Sequence, residues 1–258
     1  MNPLIKTIQA ESCSRTWLAA VEYLLSLDKH KRYNLTLAIE SPEEMTPLDF
    51  RIHDLVDEFL RARDQQPLAT VAGTIFPANH YLRNKTKGVY EDFPEDFSKL
   101  EKHSWGTYAM RMLRHEGKNG TIIPLKELVN KLKNNKQYFH SAYEINLAEA
   151  DDIAFELPIY RAKTDFKLLR QQPCLSHLTF KVYPGNALML AVMYRSHYYV
   201  TKALGNLLGL AQLQSFVATE ADLSVGPLIC HSTLAQIDIA KGMGIAAVKQ
   251  LVSQCKAA

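Results

Sequence analysis

The chain has 258 residues, 47% of them hydrophobic and 22% charged, a balance that supports a packed core and excludes a disordered chain. A net charge of +3 without a long basic stripe excludes a protein that tracks nucleic-acid phosphates but leaves room for one local basic pocket. No apolar run reaches the ~20 residues that span a bilayer, Met1 to Cys13 has no signal-peptide core, and Cys13, Cys174, Cys230 and Cys255 lack metal-ligand or disulfide spacing, so reduced thiols in a cytoplasm are expected, with no metal site.

Ser14 is placed to cap a first helix running to Leu27, with Trp17, Leu18, Val21, Leu24 and Leu25 at helical spacing. Asn34 to Glu40 alternates like a strand until Ser41-Pro42 breaks it. A second helix over Leu48 to Arg63 presents Ile52, Leu55, Val56, Phe59 and Leu60, and leaves Asp49, Asp54, Asp57 and Glu58 as a solvated face. Pro67 to Pro77 reads as a buried strand bent at Gly73, and Asn79 to Phe97 as a long loop of the kind that carries function. A third helix spans Pro124 to Asn134 and opens with proline in its first turn. Ser141 to Phe155 mixes acidic and apolar residues, with a turn at Asp151-Asp152.

In the second half, Leu175 to Val182 and Leu188 to Tyr194 form a hairpin around Pro184-Gly185-Asn186. Tyr198 to Ala218 is too apolar for a surface helix and is expected at the centre. A short strand at Leu228 to Cys230 and a last helix from Leu234 to Cys255 complete the chain. The sum is an α/β (α+β) fold with a mixed sheet and a central buried helix, and residues 1–258 are read as a single domain.

Three short segments carry chemistry by their order: Gln172-Pro173-Cys174, Tyr194-Arg195-Ser196 and Gly205-Asn206. The set resembles the thymidylate synthase family, including its pyrimidine nucleotide hydroxymethylases. There a Pro-Cys-His segment holds a nucleophilic cysteine, a hairpin ends in Gln-Arg-Ser, and a buried helix presents an asparagine to the base. The Arg195-to-Asn206 separation matches the family's, and the Cys174-to-Arg195 separation is one residue longer. Val225-Gly226-Pro227-Leu228-Ile229, Leu132-Lys133-Asn134-Asn135 and Gly106-Thr107-Tyr108 are similar to further family segments, so the likeness covers about Gly106 to Asp238.

The resemblance implies a homodimer with sheets packed face to face, a pyrimidine nucleotide substrate and 5,10-methylenetetrahydrofolate as one-carbon donor. It implies Cys174 as nucleophile, adding to C6 of the base so that C5 becomes nucleophilic. Arg195 would favour the thiolate and bind phosphate, Ser196 would donate to that phosphate, and Asn206 would pair with O4 and N3–H, favouring uracil. Gln236 and Asp238 stand where the family's sugar-binding His and Tyr fall, which implies altered sugar recognition. Lys136-Gln137-Tyr138-Phe139-His140 replaces the family's cross-subunit arginine pair, with Arg161 or Arg170 as substitutes; Tyr198 and Lys202 replace an Asp and a Gly; Leu175 follows the cysteine, with His177 two residues on; Ala69 to Phe76 lacks the folate-side Glu and Trp. The expectation is specialised C5 methylation or hydroxymethylation rather than housekeeping dTMP synthesis.

Plainer readings stand beside these. Cys174 fits a buried structural thiol, Arg195 an ion pair, and Asn206 an amide bound to backbone. His177 fits a half-buried strand histidine. His197 and His231, beside Ser196 and Ser232, are acid/base candidates. Tyr194, Tyr198 and Tyr199 read as core, and Lys126, Lys131, Lys133 and Lys136 as a charged surface. The competing functions are a nucleotide-binding protein without turnover and an enzyme acting on another ring in the same pocket.

Overall fold

The computed structural model describes residues 4–100, 107–117, 120–134, 173–239 and 243–258. Among them, alternating strands build one mixed open sheet in the order β1-β2-β8-β6-β5. The strands are β1 (Lys6–Ala10), β2 (Lys31–Ile39), β5 (Leu175–Tyr183), β6 (Ala187–Tyr194) and β8 (Ser224–Gln236); β7 (His197–Tyr198) runs beside β8 beyond the end of β6. A small hairpin, β3 (His115–Gly117) and β4 (Gly120–Ile122), stands apart. β1 pairs β2 in parallel, β8 lies antiparallel to β2 and parallel to β6, and β5 closes the order antiparallel to β6.

The register sorts the two faces. Leu37, Cys230 and Val192 are aligned across β2, β8 and β6, as are Ile39, Leu228 and Leu190, and all are buried. The opposite row, Ala38, Ile229 and Ala191 with Thr36, His231 and Met193, is less buried, and Met193 is 42% exposed. One face thus carries the core and the other stays half-open, as period-2 alternation requires of a sheet covered on one side.

Helix α1 (Cys13–Leu25) packs on β1 and β2, and α8 (Ala203–Glu220) on β6 and β8. The hydroxyl of Ser12, not Ser14, caps α1 by accepting from Arg15 N–H. Trp17 is wholly buried and its indole N–H donates to Tyr199 O at 2.6 Å, tying α1 to the entry of α8. Thirteen of the 18 residues of α8 are buried, as its all-round apolarity demands. Gly205 and Gly209 let α8 approach α3 (Leu68–Gly73): a Cβ on Gly209 would sit 2.7 Å from Ala72 O.

Several expectations are corrected. Pro67 to Pro77 contains the helix α3, not a strand. Asn79 to Phe97 is not a loop but α4 (Ala78–Lys87), kinked at Asn84 and Lys85, then a π-helical turn at Gly88–Asp92 and α5 (Phe93–Leu100). Its aromatic residues serve packing: Tyr81 and Tyr90 join Phe76 of the preceding segment on Phe216 of α8. Asp49 is not solvated. It is fully buried in the capping box of α2 (Pro47–Arg61), accepting from Thr46 N–H at 2.9 Å and from Ser12 Oγ at 2.5 Å. Strand β8 is a 13-residue central strand rather than the three residues expected. Pro227 lies beside a shift in the β6–β8 register between Leu188 and Leu190, the setting in which a sheet tolerates proline. Gln214 of α8 donates to the carbonyls of Leu188 at 2.7 Å and Gly226 at 2.9 Å there. The last helix, α9 (Ile245–Ala257), starts eleven residues later than expected, because β8 extends to Gln236.

Helix α7 (Pro124–Asn134) is as expected; Ser141 to Phe155, Lys136 to His140, Arg161 and Arg170 lie outside the described residues. Among the described residues no helix is long and apolar enough to cross a membrane.

Candidate active site

The β5–β6 hairpin turns through Gly185 and Asn186, both at positive φ, a geometry glycine and asparagine adopt most readily. Its ladder begins at Leu175 opposite Tyr194, with a register shift before His177. One step beyond, Arg195 N–H donates to Cys174 O at 2.9 Å, so the hairpin sets Cys174 beside Arg195. A strand-end bulge of this kind re-aims side chains and is common beside functional sites. The Arg195 guanidinium also donates from Nη2 to Pro173 O.

Tyr108 completes this corner from α6 (Tyr108–Leu113), whose first turn is capped by Thr107. Its phenol oxygen accepts the N–H of Cys174 at 3.0 Å and of Leu175 at 3.3 Å. Burial raises the Cys174 thiol above its ordinary pKa while the Arg195 charge pulls it down, and burial prevails. Burial also raises the phenol of Tyr108, against the lowering by the Leu175 N–H and the charge of Arg111. Arg111, itself buried, is therefore a second guanidinium near this corner. Cys174 alone of the four cysteines is not fully buried.

Behind the corner lies a buried polar chain. The Asn206 amide nitrogen is 3.0 Å from His197 Nε2, His197 Nδ1 is 3.2 Å from Ser232 Oγ, and that hydroxyl is 3.2 Å from Tyr199 Oη. Tyr194 stacks on the imidazole, centroids 3.9 Å apart and planes within 4°. Burial pushes the His197 pKa down to about 3, so the ring is neutral. Tyr194 is fully buried, and its hydroxyl has no hydrogen-bond partner among the described residues.

The six residues singled out from sequence divide into four groups. Cys174 and Arg195 meet at the hairpin end. Ser196 and Gln236 pair beside it, Gln236 Nε2 donating to Ser196 Oγ at 3.3 Å, which leaves the serine proton to donate. Asn206 is 6% exposed and tied to His197 rather than to backbone. Asp238 accepts from Val200 N–H at 2.8 Å and Thr201 Oγ1 at 2.5 Å, stabilising the turn that leads into α8, a structural role beside the one expected toward a sugar. His197 is no acid/base group at neutral pH, and His231 pairs with Thr36 at 2.9 Å on the open face. Tyr198, expected in the core, is 47% exposed.

Sequence reasoning does not single out Tyr108 or Arg111, and it names His197 without its links to Asn206, Ser232 and Tyr199. Tyr108 lay inside a recognised segment, but only the fold brings its oxygen to Cys174. A groove of about 580 Å³ lies elsewhere, among Ala72, Phe76, Tyr81, Leu208, Ala211 and Phe216. It does not include Cys174, Arg195 or Asn206, so volume does not mark the reactive corner.

No protein-family model matches the chain, and no curated protein matches it. The functional reading therefore rests on residues and geometry.

Proposed function

We propose that the protein is an enzyme of the thymidylate synthase type, adding Cys174 to C6 of a pyrimidine nucleotide so that C5 reacts with a one-carbon unit. The observation that carries this reading is the corner itself: a thiol partly open to solvent, on backbone paired with Arg195, whose guanidinium binds the neighbouring Pro173 carbonyl, with the Tyr108 phenol bound to the thiol's own backbone. A thiol becomes a nucleophile when a cation favours its ionised form.

In this reading the Cys174 proton passes to solvent and the S–C6 bond forms. The C5–C6 π pair moves toward O4 as an enolate, held by Asn206. Without a one-carbon donor, a proton from water joins C5, the original C5 hydrogen leaves as a proton, and the C6–S pair returns to sulfur, which is hydrogen exchange at C5; a bound donor would supply the one-carbon unit in place of that water proton. Ser196, its oxygen occupied by Gln236, donates its proton to a substrate phosphate together with Arg195.

The donor implied by resemblance is 5,10-methylenetetrahydrofolate. A pterin edge calls for a carboxylate and its ring for a stacking face. The described residues do not by themselves make such a site: Asp238 is spent on Thr201, Trp17 is buried on Tyr199, and Tyr194 is stacked on His197. These residues account for the thiol side of the reaction only. The half-open sheet row around Ala38, Ala191 and Ile229 suits a homodimer with sheets face to face; Ala191→Arg is expected to yield monomers by sedimentation.

A binding protein without turnover is the second reading, since burial raises the Cys174 thiol more than the Arg195 charge lowers it and Asn206, Gln236 and Ser196 serve binding as well as turnover. Tritium release separates the two readings. C5-tritiated UMP, dUMP, CMP and dCMP are incubated with the protein, with and without the folate. Release that disappears in Cys174→Ala is expected; saturable binding without release from any of the four establishes the binding protein instead.

A further inference from the structure

Helix α8 is buried except along one stripe. Leu208, Gln212, Ser215 and Thr219 are less than buried, and their spacing places them on one face of the helix. Leu208, Gln212 and Ser215 floor the groove of about 580 Å³ that lies among α2, α3, α4 and α8. That volume is within the ~300–1,000 Å³ of small-molecule pockets.

The two sides of the groove differ in chemistry. From α3, α4 and α8 come Leu68, Ala72, Phe76, Tyr81, Leu82 and Phe216, none of them charged. The aromatic part is already fixed: Tyr81 meets the Phe216 ring edge-on at 4.9 Å, Phe76 lies 5.0 Å from the same ring, and the Tyr81 hydroxyl donates to Glu220 at 2.8 Å. Leu82 is 71% exposed and Met45 37%, which adds apolar surface that an occupant would cover.

The other side is formed by α2 and the segment before it, and it brings Glu43, His53 and Asp57. His53 is tied to Ser14 Oγ at 2.8 Å. Burial lowers its pKa, so it adds no positive charge at neutral pH. Asp57 accepts the Leu68 N–H at 2.7 Å, and its other oxygen meets the exposed Arg61 at 3.3 Å, a pairing worth little in water. Glu43 is exposed. Lys85 approaches the Tyr81 ring, 5.5 Å from its centroid, but does not line the groove. Among the described residues no lysine or arginine lines it, so one side is acidic and the other apolar.

We infer that this groove is a binding site for a small hydrophobic amine, its apolar body on Phe76, Leu208 and Phe216 and its ammonium at Glu43, with Asp57 as the second carboxylate of that side. A ligand acid would bring its charge against Glu43 and Asp57, and a neutral ligand would leave both carboxylates unused. The site is separate from the Cys174 corner and does not depend on the chemistry there.

The full-length protein is titrated by calorimetry, at neutral pH and low salt, with biphenylethylamine and with the alcohol and the carboxylic acid of the same skeleton. The amine is expected to bind about fivefold tighter than the alcohol, the scale of one exposed ion pair, and the acid more weakly than the alcohol. Glu43→Gln, a change at an exposed position, is expected to bring the amine within about twofold of the alcohol. Ser215→Phe, which fills the floor of the groove, is expected to abolish binding of both while circular dichroism stays that of the parent. An alcohol that binds as well as the amine, an acid that binds tightest, or no binding of the amine overturns the inference. So does an amine that keeps its full advantage in Glu43→Gln, or its parent affinity in a folded Ser215→Phe protein.

Discussion

Tyr108 and Cys174 lie 66 residues apart in the chain, and the phenol oxygen of one accepts the backbone N–H of the other at 3.0 Å. The same oxygen takes the Leu175 N–H at 3.3 Å. A single hydroxyl thus fixes the backbone from which the candidate nucleophile projects.

Tyr108→Phe removes that acceptor and leaves buried N–H donors without it. A stability loss of about 1–3 kcal/mol is expected in urea denaturation. C5 tritium release is expected to fall on the order of 10²-fold, since the thiol loses its placement. Unchanged turnover in a folded Tyr108→Phe protein would show that the phenol is dispensable to the chemistry.

Arg195→Gln removes the cation that lowers the Cys174 thiol and leaves the burial that raises it. The thiol pKa rises further, so the iodoacetamide alkylation profile moves to higher pH and the rate at pH 7.5 falls roughly tenfold. Cys13, Cys230 and Cys255 are buried, which makes Cys174 the reporting thiol in the native protein.

His197 links pH to stability. Its folded pKa, about 3, lies below the ordinary 6.5, so the unfolded chain takes up a proton that the folded chain refuses. The stabilisation is complete above about pH 6.5 and is lost as pH falls toward 3, by at most on the order of 4 kcal/mol. Denaturant titrations at pH 7.5 and 5 should show His197→Gln losing less stability on acidification than the parent. An equal loss in both proteins would refute this assignment.

Gly209→Ala sets two effects against each other. Alanine favours a helix interior by about 1 kcal/mol, but its Cβ would lie 2.7 Å from Ala72 O, a backbone atom that cannot step aside. Overpacking costs about 1–3 kcal/mol, so net destabilisation is expected, read as a lower thermal midpoint.

Asp238→Ala leaves Val200 N–H and Thr201 without their carboxylate partner. A stability loss of about 1–3 kcal/mol is expected, as for other donors left without their acceptor. Nucleotide affinity should change far less than in Asn206→Ala; a reverse ranking would return Asp238 to the binding surface.

Local pattern alone determined the hairpin of β5 and β6, the amphipathic helices α1, α2 and α7, and the central place of α8, because each has a periodicity or turn signal of its own. The ordered trio Cys174, Arg195 and Asn206 was legible for the same reason: two of its members flank one hairpin. Tertiary structure decided the rest. Residues 67–97 run from a short apolar stretch into a polar, aromatic one, and they pack on α8 through Phe76, Tyr81 and Tyr90 at Phe216 and through Ala72 at Gly209, contacts with no local signature. Strand β8 continues through Pro227 beside a register shift that Gln214 helps satisfy from another element. Asp49 carries the spacing of a solvated face, yet it is buried where Ser12 and Thr46 converge on it. Asn206 was placed by its helix, but its partner His197 was set by the run of β7 beside β8. A side chain's spacing follows from its own segment; the donors and acceptors it meets depend on chain brought from elsewhere.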